Sequence, residues 1–199
     1  RAAQSWTELL RDALIQAVGP AKGLHLANIY GQAFPANYTE TIDSAEAVSD
    51  IELMESVAAN DAVMLNLYRP AGANRNTLRF KVLHPMTPLP LSDVLPMLED
   101  MGLRVLNELP YEVHPDVNGG RLVMIHDFGL QTRDGSRVNL AAIRHKFQDA
   151  FARIWAGEVE SDGFNALVLL GGLGWRDVMV LRACCKYLRQ AGIAFSQNY

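Results

Sequence analysis

Residues 77–113 read TLRFKVLHPMTPLPLSDVLPMLEDMGLRVLNELPYEV. The order of periodicities inside this stretch decides the fold. Leu78, Phe80 and Val82 alternate with Arg79 and Lys81, the two-residue repeat of a half-buried strand. Val94, Leu95, Leu98 and Met101 then recur at helical spacing, with Ser92 as the expected N-cap and Gly102 as a left-handed stop. Leu103, Val105, Leu109, Tyr111 and Val113 return to alternation along one face of a second strand. Strand, helix, strand is the opening half of a split β-α-β unit.

Downstream, Leu122, Met124, His126, Phe128 and Leu130 share one face of a third strand. A helix follows, capped by Asn139, striped by Leu140, Ile143, Phe147, Phe151 and Ile154, and ended by Gly157. This order predicts an α+β, ferredoxin-like fold: an antiparallel four-stranded sheet with two helices on its one covered face. The fourth strand has two candidates. Residues 62–69 are strand-like, and the turn-rich Pro70-Ala71-Gly72-Ala73-Asn74 joins them to the Leu78 strand as a hairpin. The apolar run Ala166–Leu170 also has the length of a strand, but Asp162 ahead of it resembles a helix N-cap. A hairpin partner is antiparallel automatically, so the hairpin is preferred.

Helical segments flank this unit. In the head, Ser5 with Glu8 and Asp43 with Glu46 have capping-box spacing, and Gly19-Pro20 and Phe34-Pro35 are stops, which predicts three helices. In the tail, a helix over 175–191 carries an apolar stripe of Trp175, Val178, Leu181, Cys185 and Leu188, and a basic stripe of Arg182, Lys186 and Arg189. The expected divisions are therefore a helical segment over 1–60, the α+β domain over 61–158 and a helical hairpin over 159–199. The apolar stripe is expected to pack on the 164–170 helix, leaving the basic stripe for an acidic surface such as the helix around Asp50, Glu52 and Glu55.

Composition narrows the function classes. The chain has 199 residues, is 49% hydrophobic and carries 18 basic against 22 acidic side chains, a net charge of −4. That balance argues against nucleic acid and anionic membranes as partners, and the longest apolar run is far short of a membrane span. Cys184 and Cys185 are adjacent and offer no disulfide framework, so a reducing, cytoplasmic setting is expected. The chain starts at Arg1 and closes on Phe195-Ser196-Gln197-Asn198-Tyr199, and reads as a segment of something longer.

Catalytic and cofactor motifs are scarce. Gly171-Gly172-Leu173-Gly174 would need a glycine at 177 to make a dinucleotide fingerprint; Asp177 stands there, and its carboxylate would repel a pyrophosphate. His126 and Asp127, as strand neighbours, point to opposite faces and cannot act as an oriented pair. The five histidines have no metal-ligand spacing. No catalytic, cofactor-binding or metal residue is assigned.

The ordered strings Ala33-Phe34-Pro35-Ala36-Asn37-Tyr38, Asp50-Ile51-Glu52-Leu53-Met54-Glu55, Leu91-Ser92-Asp93-Val94-Leu95-Pro96, His126-Asp127-Phe128, Asp162-Gly163-Phe164-Asn165, Trp175-Arg176-Asp177-Val178 and Lys186-Tyr187-Leu188-Arg189-Gln190 carry a resemblance. Together they resemble the large-subunit bacterial NAD-specific glutamate dehydrogenases over nearly the whole chain. The resemblance implies a stretch of the long N-terminal, non-catalytic half of such an enzyme, its middle unit an ACT-like domain. NAD and the glutamate site would belong to a catalytic region beyond Tyr199, and the parent would be cytoplasmic and self-associating. It also implies an effector or interface loop, here His84, Thr87, Ser92 and Asp93; the helical spacing of Arg182, Lys186 and Arg189 makes them the candidate interface stripe. ACT domains often bind amino acids through an aspartate and glycine after the first strand. Here that loop is His84-Pro85-Met86-Thr87-Pro88-Leu89-Pro90, whose prolines remove donors. The leading expectation is thus a regulatory or assembly segment, partnered by the rest of its own polypeptide and inactive alone. An amino-acid-binding allosteric sensor is the second reading, and a self-contained enzyme centred on His126 the third.

Overall fold

Ser5 accepts the Glu8 N–H through its hydroxyl at 3.3 Å while Glu8 accepts the Ser5 N–H at 2.9 Å, so the reciprocal cap starts the first helix as its spacing requires. The computed structural model describes residues 4–85, 89–115 and 122–192. In chain order its helices are α1 (Trp6–Val18), α2 (Pro20–Tyr30), α3 (Ala36–Thr41), α4 (Ser44–Asn60), α5 (Leu91–Asp100), α6 (Leu140–Trp155), α7 (Ala166–Leu170) and α8 (Trp175–Gln190), with a 3₁₀ turn over Gly163–Asn165. Its strands are β1 (Met64–Tyr68), β2 (Thr77–Pro85), β3 (Leu103–Val113) and β4 (Val123–Thr132). They form one antiparallel sheet in the order β1-β2-β4-β3. The α5 crossover therefore skips a position that β4 fills, which is the split β-α-β pattern. The hairpin supplies the edge strand, and Ala166–Leu170 is helix.

The chain divides into two compact units. The first comprises Arg1–Leu65, Lys81–Pro88 and Leu109–Asp127. Here α1, α2 and α4 bury Leu10, Leu14, Leu26, Ile51 and Met54 in one cluster with Leu83, Tyr111, Val113, Val123 and Ile125 of the strands. Gly23 permits the close passage of α2 over α1, since a Cβ there would lie 2.6 Å from the Ile15 backbone. Trp6, Phe34, Tyr38 and Tyr111 continue the cluster as an aromatic chain, with Tyr38 edge-on to Tyr111 at 5.0 Å.

The second unit comprises Asn66–Phe80, Leu89–Glu108 and Phe128–Tyr199. Phe80 packs edge-on against Phe147 and Phe151 of α6 at 5.4 and 4.9 Å. Gly102 ends α5 at φ +85°, the left-handed stop its position predicts.

Five expectations are corrected. The head has four helices, because α2 ends at Tyr30, ahead of the Phe34-Pro35 stop, and Pro35 is the N-cap of the short α3. Pro90, not Ser92, occupies the N-cap of α5; its fixed φ starts the helix two residues early. Asn139 holds the α6 N-cap position without a side-chain capping bond. The odd-numbered residues of β2 are not a solvent face. Lys81 and Leu83 are buried in the first unit with Tyr111 and Val113 of the odd-numbered apolar face of β3, because the head helices cover what alternation alone leaves open. In the tail, α8 packs through Val178 and Arg182, while Leu181 and Leu188 are exposed.

Candidate functional site

Lys81 follows Phe80 on β2, so its side chain leaves the opposite face of the strand and enters the first unit's core. It is 2% exposed and donates to Asp50 Oδ2 on α4 at 2.6 Å. The Tyr38 hydroxyl donates to the same oxygen at 2.6 Å, and Asp50 is fully buried. Two buried charges are tolerated because they meet each other and a third polar group at hydrogen-bond distance. Asp50 Oδ1 has no hydrogen-bond partner among the described residues. Five residues along α4, Glu55 accepts the Tyr30 hydroxyl at 2.7 Å. Burial first, then that bond and the Glu55 charge, raise the Tyr30 hydroxyl's pKa well above its ordinary value. Asp50 is thus buried and engaged within the chain, whereas Glu52 and Glu55 of the expected acidic surface are exposed.

Of the candidate effector loop, His84 is 4% exposed and stacks on His126, 5% exposed, with ring centroids 5.2 Å apart and planes 8° from parallel. They sit on the neighbouring strands β2 and β4, at the parity that carries Phe80 and Phe128. His84 Nε2 is buried without a hydrogen-bond partner among the described residues. Desolvation and the facing His126 push the His84 pKa down, partly offset by a hydrogen bond at the Pro85 backbone. Such a histidine favours the neutral state and is a packing element. Thr87 lies outside the described residues. Ser92 and Asp93 are exposed on the first turn of α5, where the Ser92 hydroxyl donates to Asp93 Oδ1 at 3.2 Å.

The basic stripe of the tail is divided. Arg182 is 4% exposed and forks onto Asp162, with Nε to Oδ2 at 2.7 Å and Nη2 to Oδ1 at 2.9 Å. The same Nη2 reaches Asn165 Oδ1 at 2.7 Å. Asp162 meanwhile accepts the Phe164 N–H and caps the 3₁₀ turn. Lys186 binds both carboxylate oxygens of Glu160 at 2.7 Å, and Arg189 is exposed. The expectation of one solvent-facing stripe is corrected for Arg182, because this chain already supplies its acidic partner.

The glycine cluster 171–174 is the connection between α7 and α8. Asp177 caps α8 by accepting the Gly174 N–H at 3.0 Å, and Lys146 donates to the Gly172 carbonyl. A carboxylate thus holds the place that a pyrophosphate takes in a dinucleotide fold. Among the described residues no group of three His, Cys, Asp or Glu side chains could hold a metal ion, and no helix is long and apolar enough to cross a membrane.

The interior pairs, Lys81 with Asp50 and His84 with His126, escape a reading of the sequence by single elements. Strand parity carries a signal for the second, since both histidines share the phase of inward phenylalanines. The first has none, because the α4 partner is 31 residues away.

The sheet order and crossover define an ACT-type, ferredoxin-like domain between helical segments. Residues 13–57 match the family described as glutamate dehydrogenase helical motif 2, residues 62–143 glutamate dehydrogenase ACT3 domain, and residues 159–199 glutamate dehydrogenase helical motif 3. The chain is 38% identical over 197 residues to the NAD-specific glutamate dehydrogenase of Halomonas elongata, 37% over 199 residues to that of Pseudomonas aeruginosa, and 35% over 206 residues to that of Mycobacterium tuberculosis. These alignments cover at least 99% of this chain and 12% of each relative. The chain belongs to the family of NAD-specific glutamate dehydrogenases, of which it carries the ACT3 domain with its two flanking helical motifs.

Proposed function

We propose that this chain is a regulatory and assembly segment of an NAD-dependent glutamate dehydrogenase and performs no chemistry itself. The parent reaction would be oxidation of L-glutamate by NAD and water to 2-oxoglutarate, ammonium and NADH, with NAD bound elsewhere in the polypeptide. The observation that carries the reading is the ordered succession of helical motif, ACT3 domain and helical motif along the chain. The α8 surface supports the assembly role. Val180, Leu181, Tyr187 and Leu188 are all exposed there, an apolar face of the kind that marks a protein contact. Arg189 and the Lys186–Glu160 pair border it with charge.

Two measurements test the proposal. The 199-residue chain should give no glutamate-dependent reduction of NAD, and turnover above background would refute its non-catalytic role. In the parent enzyme, Val180→Lys with Tyr187→Lys should weaken assembly, read by light scattering, while leaving the melting temperature of this segment unchanged. An undiminished assembly would remove the α8 face from the proposal. A saturable heat on titrating the segment with amino acids would instead make it an effector sensor.

A further inference from the structure

At the hairpin end of the sheet, Asn74, Arg75, Asn76, Gly135 and Arg137 line a polar cavity of about 670 Å³. Two loops build it, the 69–76 connection between β1 and β2 and the 133–139 connection between β4 and α6. They are tied together through their backbones. The Thr132 N–H donates to the Asn76 carbonyl at 3.1 Å and the Val138 N–H to the Arg75 carbonyl at 3.3 Å. Arg69 clamps both loops, with Nε on the Thr77 carbonyl at 3.2 Å and Nη2 on the carbonyls of Arg75 and Val138 at 2.9 and 3.0 Å. The turn within the second loop is fixed as well. Gly135 sits at φ +72°, Asp134 Oδ1 accepts the Ser136 N–H at 2.9 Å, and the Thr132 hydroxyl donates to the Ser136 carbonyl at 2.9 Å.

The side chains on this frame are unengaged. Among the described residues, neither the guanidinium groups of Arg75 and Arg137 nor the side-chain amides of Asn74 and Asn76 have a hydrogen-bond or ionic partner. Among the described residues no carboxylate lines the cavity, and neighbouring Asp134 is held by Ser136, which lowers its pKa. Two like charges placed on one concavity repel each other, and a multiply charged anion relieves that repulsion. A guanidinium fork matches the oxygens of phosphate, and the asparagine amides add neutral donors beside it. The cavity is of small-molecule size. We propose that this cavity binds the phosphate group of a small phosphorylated molecule. The inference rests on the two loops alone and does not depend on the function proposed above.

Titration of the chain with inorganic pyrophosphate at low salt, followed by amide NMR, tests it. Saturable shifts are expected at 74–76 and 135–137, and each of Arg75→Gln and Arg137→Gln should weaken binding by about tenfold or more, the effect of losing a charge-assisted bond. Both arginines are exposed, so the variants should keep the parent melting temperature. Malonate, a dicarboxylate, should bind more weakly than pyrophosphate. The proposal is overturned by shifts that never saturate, by shifts spread over arginines elsewhere, by undiminished binding in the double variant, or by malonate binding as tightly as pyrophosphate.

Discussion

Lys81, Asp50 and Tyr38 form the most consequential contact at the residue scale, because both charges are buried and meet, with the Tyr38 hydroxyl, at Asp50 Oδ2. Taking one ion from water into a core costs several kcal/mol, and mutual attraction offsets this only while both partners are present. The asymmetry predicts two different outcomes. Lys81→Met should leave a fully buried carboxylate with the Tyr38 hydroxyl but no countercharge, and lower stability by about 3–5 kcal/mol. Adding Asp50→Leu should recover most of that loss, since an apolar pair of similar volume is often neutral or better. Denaturant titration of the single and double variants measures both. A loss under about 1 kcal/mol for Lys81→Met would mean that the pair carries little of the stability assigned to it.

Elements in the tail are held by a polar joint where apolar packing is thin. Arg182 of α8 ties Asp162 and Asn165, and Asp162 also caps the 3₁₀ turn, so one guanidinium fixes the start of one element against the middle of another. Arg182→Lys keeps the charge but loses the planar fork, and Arg182→Ala leaves Asp162 Oδ2 and Asn165 Oδ1 without their guanidinium donor. Alanine should therefore cost about 2–4 kcal/mol and lysine roughly half as much, with Lys186→Ala, an exposed pair, within about 1 kcal/mol. Equal melting temperatures for all three would place Arg182 on the surface after all. This joint also marks where sequence reasoning stops. The Ser5–Glu8 cap, the Gly102 stop and the hairpin edge strand are legible because their partners lie within a few residues. Alternation at Lys81 and the helical stripe at Arg182 give the correct element but the wrong surroundings, since the covering partners are 31 and 20 residues distant. The short α3 offers too few residues for a period to register. The cavity of Arg75 and Arg137 has no sequence signature, because two loops about 60 residues apart in the chain make it. Family likeness is legible from ordered strings, as none of these contacts is needed to see it.

At the scale of the whole molecule, buried His84 couples global stability to pH. Burial and the facing His126 hold the folded-state His84 pKa below its ordinary 6.5, so between that value and the folded one the unfolded chain binds a proton that the native chain refuses. Stability from this source is fully present above about pH 6.5 and is lost as pH falls through the folded-state pKa, with a slope of at most about 1.4 kcal/mol per pH unit. His84→Phe keeps an aromatic ring beside His126 and removes the titrating group. Denaturant midpoints measured from pH 7.5 down to pH 5 should fall less steeply for His84→Phe than for the parent chain, with the two curves diverging below about pH 6.5. Parallel curves across that range would show that His84 takes up its proton alike in the folded and unfolded chain, and that its burial is not what makes the native state sensitive to acid.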